Sequence, residues 1–272
     1  MVEYVVANAT VVPVRENPSE GAEQLTQLLF GEVCEVLDRL PRWTKIRSTL
    51  DGQEGWVDFK MVSLASSLIA SSPHRLEAVV AAPMAPATPM DGCADLLLTL
   101  GTRLPNYSHG TFEVLGQQYL IDPTCVNNTT QLLNSDLSRA ELLNNVCATA
   151  QTLLNAPYLW GGKNLMGIDC SGFTQVVYAA MGVNLLRNAR EQITQGEVVP
   201  CLSNAQPGDL AFFDHADRDP KATNISHVGL LLSPTEIIHC SGCVHVDTID
   251  EQGIHLSDGS LTHHLVQIKR YI

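Results

Sequence analysis

Residues 4–62 form short β-prone runs that are interrupted by turn-forming residues, a pattern that few folds accommodate. The dipeptide Asp51-Gly52 favours a tight hairpin, because glycine adopts a positive φ at no steric cost. Strands this short and this closely spaced predict a small antiparallel barrel over residues 1–63. The runs that we interpret as strands are residues 9–14, 33–37, 43–47 and 55–57.

A second set of short β-prone runs follows a connection rich in Ser and Ala at residues 63–73. Pro, Gly and Asn separate these runs, as turns require. We predict a second, more divergent barrel over residues 74–130. The alternative is a β-rich extension of the first domain.

The pattern becomes helical near Ser138, which with Glu141 forms a capping-box signature. A second helix is predicted from Cys170 to about Met181. Helices followed by antiparallel strands are typical of an α+β domain, here residues 135–272. The predicted strands of this domain are residues 209–213, 227–232, 236–240 and 265–271.

Charge and hydropathy exclude several classes of partner. The 272 residues carry a formal net charge of −13, whereas nucleic acids and anionic lipid surfaces attract clustered Lys and Arg. No apolar run approaches the roughly 18 residues of a membrane helix, so no membrane span is expected. Because the N-terminal residues lack a signal-peptide pattern, we expect a cytoplasmic protein. The alternative is export to the cell envelope with the signal removed. A monomer is expected.

Cys170 is the cysteine to which we assign chemistry, because it begins a predicted helix. The positive end of a helix dipole can lower the pKa of a thiol, which predicts a nucleophilic thiolate. The alternative is that Cys170 is a small buried apolar residue, as free cysteines often are.

A thiol nucleophile needs an imidazole base and a polar group that orients it. His227 begins one apolar strand and His239 ends the next. Neighbouring antiparallel strands of this length would bring the two rings side by side.

Other clusters of histidine and cysteine are interpreted as structural. Cys240, Cys243 and His245 could form half of a zinc site, but no second pair lies at the required spacing. We therefore expect no metal and no cofactor, and we treat Cys240 and Cys243 as strand and turn residues. His263-His264 is predicted to be a solvated turn before the last strand.

A run of motifs resembles the NlpC-type family of papain-like bacterial cysteine peptidases. The resemblance covers residues 135–272, and the order of its motifs is specific. The motifs are Tyr158-Leu-Trp-Gly-Gly162, Asp169-Cys-Ser-Gly-Phe173, Pro207-Gly-Asp-Leu-Ala-Phe-Phe213, Ser226-His-Val-Gly-Leu230 and Ile238-His-Cys-Ser-Gly242.

This resemblance implies a papain-like catalytic domain and a role for each matching residue. Cys170 matches the family nucleophile, and His227 matches the base. His239 falls on the third polar residue, and Tyr158 on a tyrosine that assists the oxyanion together with backbone N–H groups. Residues 11–18, 26–32 and 52–56, with Trp43, resemble a bacterial SH3-like domain.

The resemblance also implies a substrate. Family members cut cell-wall peptides between γ-D-glutamate and a diamino acid, usually meso-diaminopimelate. Members with SH3-like domains resemble recycling or turnover enzymes that require a free N-terminal L-Ala. Asp169 and Ser171 match residues that hold this amine, Trp160 is assigned to substrate binding, and Glu23 is our candidate for an assisting carboxylate. Relatives often carry Tyr where this chain has Gln53, so amine recognition is expected to differ.

Three classes of function remain open. We expect an endopeptidase acting on soluble peptidoglycan-derived peptides. An amidase or acyltransferase on the same fold is the second class, and a module that binds wall peptides without cutting them is the third. An enzyme acting on the intact wall is a further alternative, which the acidic charge disfavours because an anionic polymer is held by basic patches.

Overall fold

The structure, a computed structural model, describes residues 2–65, 78–129, 139–215 and 224–272. Seven antiparallel strands make up the first unit, in the order β3-β2-β6-β5-β4-β1-β7. They are β1 (Tyr4–Ala7), β2 (Val11–Arg15), β3 (Gln24–Leu29), β4 (Val33–Arg39), β5 (Trp43–Ser48), β6 (Glu54–Asp58) and β7 (Val62–Leu64), with a 3-10 turn at Phe59–Met61 before β7.

The predicted turn of this first unit is present. Gly52 has a φ of +73° in the connection between β5 and β6. Gly55 permits the close contact of β6 with β2, because a Cβ there would lie 2.5 Å from a Val14 methyl carbon and 2.8 Å from the Arg15 carbonyl oxygen. Glycine therefore allows both the hairpin and the strand contact that follows it.

Residues 78–129 form a four-stranded sheet, in the order β10-β9-β12-β11, and a separate pair, β13-β8. Their apolar core is continuous with that of the first unit, and the rings of Phe30 and Tyr119 meet edge to face with centroids 5.5 Å apart. A second barrel stays a prediction, and residues 66–77 of the expected connection lie outside the described residues. The strands are β8 (Val79–Val80), β9 (Met84–Pro89), β10 (Leu96–Thr99), β11 (Thr111–Val114), β12 (Gln117–Ile121) and β13 (Val126–Asn127), with a 3-10 turn at Pro123–Cys125.

The C-terminal unit contains three helices and nine strands among its described residues. The capping residue Ser138 lies outside this part of the chain. The elements are α1 (Arg139–Gln151), β14 (Lys163–Asn164), β15 (Gly167–Ile168), α2 (Cys170–Ala179), α3 (Ala189–Gln192), β16 (Glu197–Val199), a 3-10 turn (Leu202–Asn204), β17 (Leu210–His215), β18 (His227–Ser233), β19 (Glu236–Ser241), β20 (Cys243–Ile249), β21 (Gly253–His255) and β22 (Leu261–Arg270).

The antiparallel sheet of this unit closes on itself. Its order is β16-β22-β17-β18-β19-β20-β21, and β22 also pairs with β21, so six strands form a barrel. The α+β class is confirmed, and closure of the sheet is the feature that strand patterns did not predict.

The two faces of this barrel have different roles. Val228 and Ile238 pack with helix residues such as Phe173 on the outer face. Leu231 and Ile237 face the other way and join an apolar cluster inside the barrel. Since side chains alternate along a strand, His227 and His239 share the inner face with these two residues.

The prediction that His263-His264 is a solvated turn is wrong. Both residues lie within β22, and His263 is buried. The histidine ring packs against His227 with centroids 4.4 Å apart. In the described part of the chain, no helix has both the length and the apolar character needed to span a membrane.

Candidate active site

Cys170 is the first residue of α2, as predicted. Asp169 caps this helix from an extended conformation, and its carboxylate accepts a hydrogen bond of 2.7 Å from the Gly172 N–H. Asp at this position satisfies a backbone donor that has no partner within the helix. The cap therefore fixes where the helix begins and where Sγ of Cys170 lies.

The predicted lowering of the Cys170 pKa is wrong for the free protein. Burial raises the pKa of this thiol to about 12, and the nearby Asp169 charge raises it further. Hydrogen bonds from the Val228 and Ser171 backbones and the charge of Arg187 act in the opposite direction. Because desolvation outweighs the helix terminus, Cys170 rests as a thiol and needs a base.

Strand register brings His227 and His239 together. Gly229 lies directly opposite His239, so His227, two residues earlier, is its diagonal neighbour on the same face. A Cβ at Gly229 would lie 2.8 Å from Cβ of His239, so the glycine leaves room for that ring. Nε2 of His227 and Nδ1 of His239 are 2.8 Å apart.

Asp247 contacts the second of these two histidines, and the sequence analysis did not identify this carboxylate. Nε2 of His239 lies 3.1 Å from Oδ2 of Asp247. This bond lowers the pKa of Asp247, and burial lowers the pKa of His239. The pair is therefore a neutral imidazole next to an ionised carboxylate at neutral pH.

These contacts determine the position of each ring proton. A carboxylate only accepts, so Nε2 of His239 carries the hydrogen and donates to Asp247. Nδ1 of His239 then accepts from Nε2–H of His227. In this tautomer Nδ1 of His227 carries no proton and is a candidate acceptor, and transfer of a proton from Cys170 to it stays a prediction.

A signal for Asp247 was present in the sequence. Gly242 has a φ of +74° in the connection between β19 and β20, and His245 lies directly opposite His239. Alternation then places Asp247 on the same face as both histidines. His245 also contacts this carboxylate, with Nε2 3.1 Å from Oδ2.

Tyr158 lies near the start of the Cys170 helix. It pairs with Ile168, two residues before Cys170, and its N–H donates to the Gly242 carbonyl. Burial raises the pKa of its phenol, and the charges of Cys170 and Asp169 raise it further. The phenol therefore stays protonated and can donate a hydrogen bond to an oxyanion.

The glycines of the motifs permit close backbone packing around the start of α2. A Cβ at Gly172 would lie 2.2 Å from the Gly162 carbonyl oxygen, and one at Gly162 would lie 2.3 Å from the Gly167 carbonyl oxygen. Gly161 has a φ of +74°, and its N–H donates to Asp169. Larger residues would displace the segment that surrounds Cys170.

Arg187 is a second residue that sequence reasoning missed. Its guanidinium is buried and contacts both carboxylate oxygens of Asp169, at 3.0 and 2.6 Å, and Oγ of Ser171, at 3.0 Å. Nε donates to Oγ1 of Thr26 in the first unit, at 2.6 Å. Asp169 and Ser171 thus have a buried protein partner. Their contact with a substrate amine stays a prediction.

The other predicted binding residues lie where the first unit meets the C-terminal unit. Nε1 of Trp160 donates to Oε1 of Glu23 at 2.8 Å, and both side chains are exposed. Oε1 of Gln53 accepts from Nδ2 of Asn188 at 3.2 Å. The structure thus brings Glu23 and Trp160 together, while Gln53 contacts the segment that follows Arg187.

Buried polar contacts hold the first unit against the C-terminal unit. Oε1 of Gln27 accepts from the Lys163 N–H and from the Asn164 amide, both at 2.9 Å. Nζ of Lys163 lies 3.1 Å from Oε1 of Glu32 in a buried ion pair. Strand β3 of the first unit therefore lies beside the segment that leads to Cys170.

Comparison with known proteins identifies two domains in the chain. Residues 155–264 match the NlpC/P60 family model, and residues 10–63 match the bacterial SH3 domain model. A gamma-D-glutamyl-L-lysine dipeptidyl-peptidase of Bacillus cereus is 27% identical over 228 residues, covering 79% of this chain and 66% of that protein. One from Bacillus subtilis is 28% identical over 226 residues, covering 79% and 71%. The chain therefore spans about two thirds of each relative.

A solved structure shows the same fold along almost the whole chain. An NlpC/P60 family protein from Bacillus cereus superposes with a TM-score of 0.79 at 19% identity, covering 98% of this chain and 99% of that one. The matched family region contains the Cys170 helix and both histidines. The chain contains an NlpC/P60 domain, the domain of a cysteine peptidase family, over residues 155–264, and a bacterial SH3 domain over residues 10–63.

Proposed function

We propose that this protein is a cysteine endopeptidase that hydrolyses the bond between γ-D-glutamate and the L-diamino acid of cell-wall peptides. The observation that carries the proposal is the chain of contacts from His227 through His239 to Asp247, next to the helix that Cys170 begins. The names of the two dipeptidyl-peptidase relatives support the choice of bond and suggest lysine as the diamino acid. Meso-diaminopimelate is the alternative.

The mechanism follows from the proton positions. Nδ1 of His227 takes the proton of Cys170, and the thiolate attacks the γ-carbonyl carbon of D-glutamate. Tyr158 and a backbone N–H at the start of α2 donate to the oxyanion. The imidazolium of His227 then protonates the leaving amine, and a thioester remains on Cys170.

Hydrolysis of the thioester repeats these roles. Water gives a proton to His227 as its oxygen attacks the thioester carbon, and the thiol leaves with that proton. His239 and Asp247 hold the ring of His227 and stabilise its positive charge in both steps. The raised pKa of Cys170 makes this base necessary.

The position of the SH3 domain is an argument for a substrate with a free N-terminal L-Ala. Its β3 strand lies beside the site, and the exposed carboxylate of Glu23 is held by Trp160. A carboxylate there can pair with a substrate ammonium group but not with an acylated nitrogen. A recycling or turnover role follows from this preference, because peptides released from the wall have that free amine.

An amidase or acyltransferase on the same fold is the second candidate. It would share Cys170 and His227 but would need no carboxylate that recognises an amine. An enzyme acting on the intact wall is the third, and the net charge of −13 disfavours its binding to an anionic polymer.

The test uses purified protein and synthetic L-Ala-γ-D-Glu-L-Lys and L-Ala-γ-D-Glu-meso-diaminopimelate, each with a free or an acetylated N-terminus. Mass spectrometry should detect L-Ala-D-Glu from the free peptides and a much slower release from the acetylated ones. Equal rates on free and acetylated peptides would refute the amine requirement. Cleavage at another bond, or none, would refute the proposed reaction.

A further inference from the structure

Three potential metal ligands converge at the end of the catalytic relay. His239, His245 and Asp247 each offer one ligand atom, and these three atoms all lie within 4.8 Å of one another. Strand pairing creates this cluster, since His245 is directly opposite His239 and Asp247 is two residues further along β20. The proposed reaction uses His239 and Asp247 but assigns no task to His245.

In the neutral form of His245, two hydrogen-bond acceptors face each other: Nε2 of this ring and the Asp247 carboxylate. Nδ1 of His245 lies 2.8 Å from the Cys243 carbonyl oxygen, which can only accept, so Nδ1 carries a proton. A neutral imidazole then has a lone pair on Nε2, 3.1 Å from the Asp247 carboxylate. A positive centre between these two atoms, either a proton or a metal ion, removes the repulsion.

Two of the three ligand separations in the cluster match a zinc site, and the third, between ring nitrogens of His239 and His245, is within 4.8 Å. Ligands about 2.0–2.1 Å from a tetrahedral Zn²⁺ are about 3.3 Å apart. Asp247 Oδ2 is 3.1 Å from Nε2 of His239 and 3.1 Å from Nε2 of His245. Nδ1 of each ring is also held by a hydrogen bond, as is usual for histidines that bind metals.

An ion can enter this cluster from solvent. The side chain of His245 is 32% exposed and that of Asp247 is 16% exposed. Two imidazoles and one carboxylate match the ligand preference of Zn²⁺ and leave its fourth position to water.

We propose that His239, His245 and Asp247 form a Zn²⁺ site whose occupation switches off the peptidase, an inference whose inhibitory part rests on the proposed function. Zn²⁺ on Nε2 of His239 moves the proton of that ring to Nδ1. Nδ1–H then donates to Nε2 of His227, so the proton of His227 moves to Nδ1. Each of these two rings keeps one proton, and His227 can no longer accept the proton of Cys170.

This site differs from the half-site considered from sequence. Sγ of Cys240 is buried and donates to the Ile168 carbonyl on the helix side of the sheet. The ligands proposed here are the imidazoles and the carboxylate on the inner face, and no thiol takes part.

Binding is tested by calorimetric titration of the full chain with Zn²⁺ alone, without substrate. The wild-type protein and Cys170→Ala should each bind one ion with the same affinity, and His245→Gln should weaken binding by about 100-fold or more. His255→Gln is the matched control, because His255 also pairs with an aspartate, Asp250, but lies outside the cluster. This variant should bind Zn²⁺ like the wild type.

Two further measurements, Co²⁺ absorption and peptide cleavage, identify the metal ligands and the effect of the metal on activity. Co²⁺ in place of Zn²⁺ should give the absorption of a tetrahedral nitrogen and oxygen site, with no thiolate charge-transfer band. Zn²⁺ should abolish peptide cleavage in the wild type and in His255→Gln, with full recovery after EDTA. His245→Gln, compared with its own zinc-free rate, should resist the same concentration.

Loss of Zn²⁺ binding in Cys170→Ala, or a thiolate band with Co²⁺, would place the ion on the catalytic thiol and overturn the proposal. Unchanged binding in His245→Gln would also overturn it. Because the titration contains no substrate, a failure to bind Zn²⁺ is distinguishable from a failure of the proposed peptidase activity.

Discussion

Arg187 and Asp169 form a buried two-pronged ion pair, with Nη2 and Oδ2 2.6 Å apart and the two side chains 1% and 8% exposed. Asp169 also caps the helix that Cys170 begins, while Arg187 reaches Thr26 in the first barrel. One guanidinium therefore links the start of the nucleophile helix to the SH3 domain. Removal of this link should affect the stability of the whole chain.

Substitution Arg187→Met should lower the free energy of unfolding by about 3–5 kcal/mol, because it leaves the buried Asp169 carboxylate without its cation. Urea denaturation monitored by tryptophan fluorescence measures this change. The control is Arg39→Met, which removes the exposed pair with Glu3 and should cost less than about 1 kcal/mol. A similar small cost for both variants would contradict the structural role of Arg187.

Substitution Asp247→Asn should lower kcat by about 10²-fold or more. The amide can donate to Nε2 of His239 and favour the wrong tautomer, an error that costs about 10⁴-fold where the carboxylate contacts the base directly. Asp250→Asn is the matched control, because Asp250 also pairs with a histidine but lies outside the relay. Steady-state kinetics on the free tripeptide should show a large loss only for Asp247→Asn.

The raised pKa of Cys170 predicts how its reactivity depends on pH. Since the pKa lies near 12, above the ordinary value of 9.0, the thiolate fraction grows as pH rises. Alkylation by iodoacetamide without substrate should therefore accelerate about tenfold per pH unit between about pH 6 and pH 10. Mass spectrometry of the peptide that contains Cys170 measures the rate. A plateau near neutral pH would instead indicate a resting thiolate paired with imidazolium.

Substitution Glu23→Gln should raise KM about tenfold for the free-amine peptide, because a hydrogen bond to a charged group contributes about 1.5–3 kcal/mol. Glutamine can still accept the bond from Trp160, so the exposed ring should keep its position. Glu20→Gln, in the same loop, is the control for loss of a surface charge and should leave KM unchanged. An equal rise for free and acetylated peptides would argue against contact between Glu23 and the amine.

Local patterns predicted the elements that carry the site. Cys170 at a helix start and His227 and His239 on adjacent strands follow from periodicity within single segments. Closure of the barrel could not be predicted in this way, because it requires β22 to pair with β17, with Leu210 opposite Lys269, and this register is long-range. For the same reason His263 was assigned to a turn, although it packs beside His227.

The thiol pKa and the role of Arg187 also depend on tertiary structure. Burial can outweigh the effect of a helix start on a thiol pKa, and the apolar cluster around Cys170 could not be predicted from its neighbours in sequence. Arg187 lies 18 residues from Asp169 and 161 from Thr26, so no local pattern pairs them. Asp247 could have been predicted, because side chains alternate along a strand and Asp247 is two residues from His245, on the same face as the histidines.

In the proposed reaction, Sγ of Cys170 is the atom that carries the acyl group. Rapid mixing of the protein with L-Ala-γ-D-Glu-L-Lys, an acid quench and peptide mass spectrometry test this directly. The account predicts an L-Ala-D-Glu adduct on the peptide that contains Cys170, and neither adduct nor cleavage in Cys170→Ala. Cleavage that persists in Cys170→Ala, or an adduct on another residue, would contradict it.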